Sequence, residues 1–181
     1  MYKLDIPDKC DFDGPGGVPY NIDNSASIFS FTRIAYRMQL DSNWVWVSMD
    51  KFTDDASLIG VPATASRVFQ TSVTQMIVQS NVESLKLGVV LEGNIEFWPN
   101  NYGPASSGVY DWGDEIHISG SYGSMQVHVP SLETTVFAFN RWNNNDAPDI
   151  GIGNAANQHS DWTFAQNGNS YEVKTLEVWV K

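Results

Sequence analysis

The chain has 181 residues, 42% of them apolar, and sets 10 Lys and Arg against 21 Asp and Glu for a formal net charge of −11. That length bounds one domain, residues 1–181, large enough to bury a single core. The charge repels nucleic-acid backbones and anionic membrane surfaces, which excludes both as partners, and it fits neutral glycans better than sulfated or uronate-rich ones.

Period-two patterning dominates, and no stretch carries a sustained helical stripe. It predicts strands over Tyr2–Ile6, Ile28–Leu40, Asn43–Asp50, Arg67–Gln79, Leu85–Leu91, Asn94–Trp98, Glu115–Ser119, Met125–Val129, Thr134–Trp142, Asp161–Ala165 and Tyr171–Val180. Turn clusters at Asp13–Gly17, Asp41–Asn43, Asn143–Pro148 and Gln166–Asn169 separate them, the last with the hairpin dipeptide Asn167-Gly168. One short helix is predicted over Thr53–Ile59 with Thr53 as its cap. Strands with frequent Gly, Pro and Asn turns and almost nothing helical between them imply an all-β fold. The expected architecture is an antiparallel, jelly-roll-like β-sandwich of about ten strands.

Several strands show their two faces. Val45, Val47 and Met49 alternate with Trp44, Trp46, Ser48 and Asp50; Leu176, Val178 and Val180 alternate with Thr175, Glu177 and Trp179. The aliphatic face of each belongs to the core. The opposite face carries indoles, which either serve a purpose in water or lie beneath loops.

The segment Gly93–Gly103 holds the strongest candidate for a binding surface. Ile95 and Phe97 point one way, while Asn94, Glu96 and Trp98 point the other, and the turn after them supplies Asn100, Asn101 and Tyr102. An indole suits the apolar face of a pyranose; carboxylates and amides suit its hydroxyl rim. Gln126 and His128 on Met125–Val129, and Asn140 and Trp142 on Thr134–Trp142, extend this set if their strands are neighbours. The expected site is therefore an open sheet surface bearing Glu96, Trp98, Asn100, Asn101, Tyr102, Gln126, His128, Asn140 and Trp142. A structural use of Trp98 and Glu96 at a strand end is the simpler alternative.

Signals for catalysis are weaker. A glycosidase needs two carboxylates about 5–10 Å apart, and Glu96 has no second acid at i+2 or i+4 on its strand. A lyase could use His128 or Tyr102 as base and acid. Ser124 lacks a nucleophile-elbow context, and His117, His128 and His159 lack zinc spacing. Cys10 is the only cysteine, so no intrachain disulfide forms. Oxygen-rich turns at Asp11–Gly14, Asp111–Glu115 and Asn143–Asp149 make a structural calcium the one cofactor candidate, though none has EF-hand spacing. The opening Met1–Asp5 has no apolar segment of signal-peptide type, and no apolar run approaches membrane-spanning length.

Taken in order, the segments Asn21–Ala26, Val45–Asp50, Gly93–Gly103, Tyr122–His128, Asp149–Asn154 and Asp161–Ala165 resemble accessory domains attached to bacterial sialate O-acetylesterase-like and other carbohydrate-active proteins. The resemblance implies a β-rich, carbohydrate-binding module that travels with extracellular or cell-surface glycan-processing enzymes, and it supplies no catalytic residues. A cytoplasmic lectin is the alternative setting. The sequence thus leads to a non-catalytic carbohydrate-binding module for neutral glycans, with a homo-oligomer as a candidate source of avidity. Its rivals are a glycan-cleaving enzyme using Glu96 and an adhesion or structural module without a sugar site.

Overall fold

Alternation in Asn43–Asp50 sets the pattern for the whole molecule: Val45, Val47 and Met49 are buried, while Trp44, Trp46, Ser48 and Asp50 are only partly covered. A computed structural model describes residues 1–6, 18, 20–28, 30–61, 69–98, 122–141, 149–153 and 168–181, with the backbone alone for 69, 70, 98, 122–124, 140, 141 and 149. The strands are β1 (Tyr2–Asp5), β2 (Ile22–Asp23), β3 (Arg33–Leu40), β4 (Asn43–Asp50), β5 (Phe69–Ser80), β6 (Gly88–Trp98), β7 (Tyr122–Val129), β8 (Thr134–Arg141), β9 (Asp149–Ile152) and β10 (Lys174–Val180).

They form one curled antiparallel sheet of ten strands in the order β2-β1-β10-β3-β4-β5-β6-β7-β8-β9. From β3 to β9 the chain is a meander, each strand pairing with the next, and β10 returns to pair β3 on one side and β1 on the other. The expected all-β, antiparallel, sandwich-like architecture is what the chain adopts. Its two layers are the two ends of one sheet folded over a shared core, where Tyr36 of β3 meets Phe137 of β8 with ring centroids 5.9 Å apart. Phe52, just after β4, meets Phe97 of β6 at 5.8 Å.

A corner in the β5–β6 pair folds the sheet. Along β5, Val73 and Met76 are both buried while Thr74 and Gln75 between them are exposed; opposite, Gly93 is buried and Leu91 and Glu92 are exposed. Gln75 takes a left-handed φ of 52°, which breaks the strict alternation and turns the pair toward the core. Arg33 secures the corner: its Nη1 donates to Asp50 Oδ1 at 2.7 Å and its Nη2 to the Gln75 carbonyl at 2.8 Å. Thr74 Oγ1 donates to the other oxygen of Asp50 at 3.2 Å.

Three sequence expectations need correction. The predicted strands Leu85–Leu91 and Asn94–Trp98 are one strand, β6, that runs through Gly93. A Cβ on Gly93 would collide with the Met76 thioether and lie 3.0 Å from the His128 carbonyl, so glycine here serves packing and not a break. The helix expected over Thr53–Ile59 is a single 3₁₀ turn, Ala56–Leu58, capped by Asp55, whose Oδ1 accepts from Ser57 N at 2.8 Å. Strand β9 was not anticipated, because its glycine-rich sequence weakens the strand pattern; it is fixed by pairing Phe139 with Ile150. The expected strands Glu115–Ser119 and Asp161–Ala165 lie outside the described residues, as do most of the turns proposed for calcium. Among the described residues no group of three or more His, Cys, Asp or Glu is placed to hold a metal ion. Nor is any helix there long and apolar enough to cross a membrane.

Candidate functional site

Strands β6, β7 and β8 are neighbours, as the predicted glycan surface required. Register aligns its members in rows: Asn94 opposite His128, Glu96 opposite Gln126, and Trp98 opposite Ser124, itself opposite Asn140. The structure therefore brings Glu96, Trp98, Gln126, His128 and Asn140 to adjacent positions on three strands. Asn100, Asn101, Tyr102 and Trp142 lie outside the described residues.

This face is not open at the positions whose side chains are described. Glu96 is 4% exposed, Gln126 2% and His128 fully buried. Asn94 is also buried and donates from Nδ2 to Glu96 Oε1 at 3.3 Å. Thr135 Oγ1 lies 3.3 Å from His128 Nδ1. Desolvation holds the imidazole pKa well below its ordinary value, so His128 is neutral. Paired with Glu96 on either side are Gln70 and Gln126, so no second carboxylate stands directly across from it. A polar layer of this kind orders the second face of β6–β8. Strand alternation foretold that these residues share a face; it could not foretell that the face is covered.

The open aromatic surface lies on the other half of the sheet. On the outer side of β10, β3 and β4, Trp179 is 48% exposed and its ring centroid lies 6.3 Å from that of Trp46, the planes inclined at 46°. Trp179 pairs across the ladder with Ala35, and Ala35 pairs with Ser48. The short side chain of Ala35 leaves a groove between the indoles of about 340 Å³, with Arg33 and Ser48 at one side.

Polar groups border the indoles in fixed positions. Trp179 Nε1 donates to Glu177 Oε2 at 3.1 Å, Arg37 Nη1 lies 3.6 Å from Glu177 Oε1, and Arg37 Nη2 donates to Gln39 Oε1 at 2.8 Å. Arg33 donates to Asp50 and, at 3.4 Å, to Ser48 Oγ. Arg33 and Arg37 are each matched by a carboxylate, and Lys181 also lines the groove, which is therefore amphipathic. The sequence carried a signal for it: Trp44, Trp46 and Trp179 fall on the faces opposite the core. What sequence left undecided was whether loops cover them, and for Trp179 they do not.

No protein-family model, no curated protein and no solved structure matches this chain.

Proposed function

We propose that the protein is a non-catalytic carbohydrate-binding module that takes neutral sugars on the outer face of β10, β3 and β4. The observation that carries this reading is the Trp46–Trp179 pair, two inclined indoles held open over Ala35 beside hydrogen-bonding side chains. A contiguous aromatic surface beside an open groove, rimmed by polar residues, is the kind of patch that takes a ligand. A pyranose covers it with C–H groups while its hydroxyls reach Glu177, Arg37 and Ser48, which are already oriented by their neighbours. Arg33 and Arg37 are already engaged by Asp50 and Glu177, and an ionic ligand would have to break a pair to reach either, which favours a neutral one.

The reading keeps the carbohydrate-binding function expected from the sequence and moves its site from the buried Glu96 row to the Trp46 face. Affinity electrophoresis through gels containing neutral polysaccharides tests it. The wild-type chain is expected to be retarded by at least one of them, and a Trp46→Ala, Trp179→Ala double variant to run freely while keeping the wild-type circular dichroism spectrum. Equal mobility of the two proteins in every gel would sink the proposal. An open site of this size binds weakly, so a homo-oligomer would raise avidity; sedimentation reports it.

A further inference from the structure

Resting on that reading, we infer that the ligand is an extended chain of neutral sugars lying across the strands, and not a single ring. The groove between the two indoles is only the start of a longer apolar line. Cross-strand register runs Trp179–Ala35–Ser48–Ile77–Val89 over β10, β3, β4, β5 and β6. Val89 is 67% exposed, as is Leu91 two residues along the same strand, and Ile77 is partly exposed. None of the three contributes to the core, which takes Met76, Val78 and Ile95 from the same strands.

Both margins of this line are polar. One side has the Arg37–Glu177 pair and Gln79; the other has the Arg33–Asp50 pair and Thr74. A glycan needs hydrogen-bonding groups along both edges and an apolar floor between them, and this line offers both. The line stops at β6, because β7 pairs with β6 only over Asn94–Trp98, past the corner, and the described ladder goes no further than Val89. Five strands at about 4.8 Å per step span about 19 Å, which accommodates about four rings of an extended chain at roughly one per strand spacing. Trp46 and Trp179 seat the first rings; Ile77, Val89 and Leu91 carry the later ones.

Isothermal titration with a ladder of one to six sugars, cut from the polysaccharide that retards the wild-type chain most, tests the inference. Affinity is expected to rise with each added sugar up to about four, as the strand count dictates, and to stay flat beyond. An Ile77→Thr, Val89→Thr variant is expected to lose about tenfold or more toward the tetrasaccharide and hexasaccharide while binding the disaccharide as wild type does. That unchanged disaccharide affinity also shows that the groove and fold are intact. A disaccharide bound as tightly as the hexasaccharide, or a double variant indistinguishable from wild type at every length, overturns the extended platform and leaves the Trp46–Trp179 groove standing. Loss of the disaccharide along with the longer chains in the double variant overturns it as well. No binding of any length by the wild type overturns both proposals.

Discussion

Trp179 and Trp46 belong to strands on either side of β3, yet their rings meet at 6.3 Å because Ala35 between them carries only a methyl group. Enlarging that residue should close the groove without touching the core. Ala35→Val is expected to weaken glycan retention about tenfold or more and to shift the thermal midpoint little, since valine favours a strand and the added methyls point outward. A midpoint that falls in step with retention would assign Ala35 a packing role alone.

Because Trp179 is half exposed, its removal should separate binding from folding. Trp179→Ala is expected to change stability by less than about 1 kcal/mol, the range usual for surface positions and ring–ring contacts. Chemical denaturation checks this. A loss of several kcal/mol would mean that the indole is a structural cover for the sheet.

Gly93 is expected to be intolerant. Alanine there would collide with the Met76 side chain, which can move, and crowd the His128 carbonyl, which cannot. Gly93→Ala should cost about 1–3 kcal/mol, in the range of overpacked cores, and Gly93→Ala with Met76→Ala should cost less than the two single changes summed, Met76→Ala alone removing a buried core side chain at about 2–5 kcal/mol. The two changes would show coupling in a double-mutant cycle; strict additivity of the two costs would refute the contact.

The corner residue Gln75 makes a prediction of opposite sign. Its φ of 52° costs an L-residue about 1 kcal/mol that glycine does not incur. Gln75→Gly is therefore expected to leave stability equal or raise it by up to about 1 kcal/mol, and Gln75→Val to lower it by about 1–2 kcal/mol. Arg33→Met removes the donors to Asp50 and to the Gln75 carbonyl and should cost about 1–3 kcal/mol. Urea midpoints read all three.

His128 couples stability to pH. Burial depresses its pKa in the folded state, while the unfolded chain titrates near the ordinary value of about 6.5. Below that pH the unfolded chain takes up a proton that the folded chain refuses. The contribution is complete above about pH 6.5 and is lost as the pH falls, by up to about 1.4 kcal/mol per pH unit. Thermal melts between pH 7 and pH 5 should show a steeper fall for wild type than for His128→Gln. Parallel curves would place the imidazole in water.

Much of the fold was legible in the residues. Strand β4 has the bounds that its alternation implied, and the inward set Val45, Val47, Met49, Met125, Val127, Leu176 and Val178 lies in the observed core. These features are local: side-chain direction alternates along a strand whatever lies beyond it. Tyr122–Ile152 was legible in part, since β7 and β8 were anticipated and β9 was not. The capping of the 3₁₀ turn by Asp55 instead of Thr53 depended on backbone angles that composition leaves open.

The sequence by itself determined an acidic, all-β chain with indoles and amides on the faces turned away from its core. Only the tertiary structure decided which of those faces is open. A strand specifies two faces but not what packs on either, because covering is a property of how a sheet curls. The corner at Gln75 folds one half of the sheet onto the other. Glu96, Gln126 and His128 belong to a covered face, while the outer face of β10, β3 and β4 remains in water with Trp46 and Trp179 upon it.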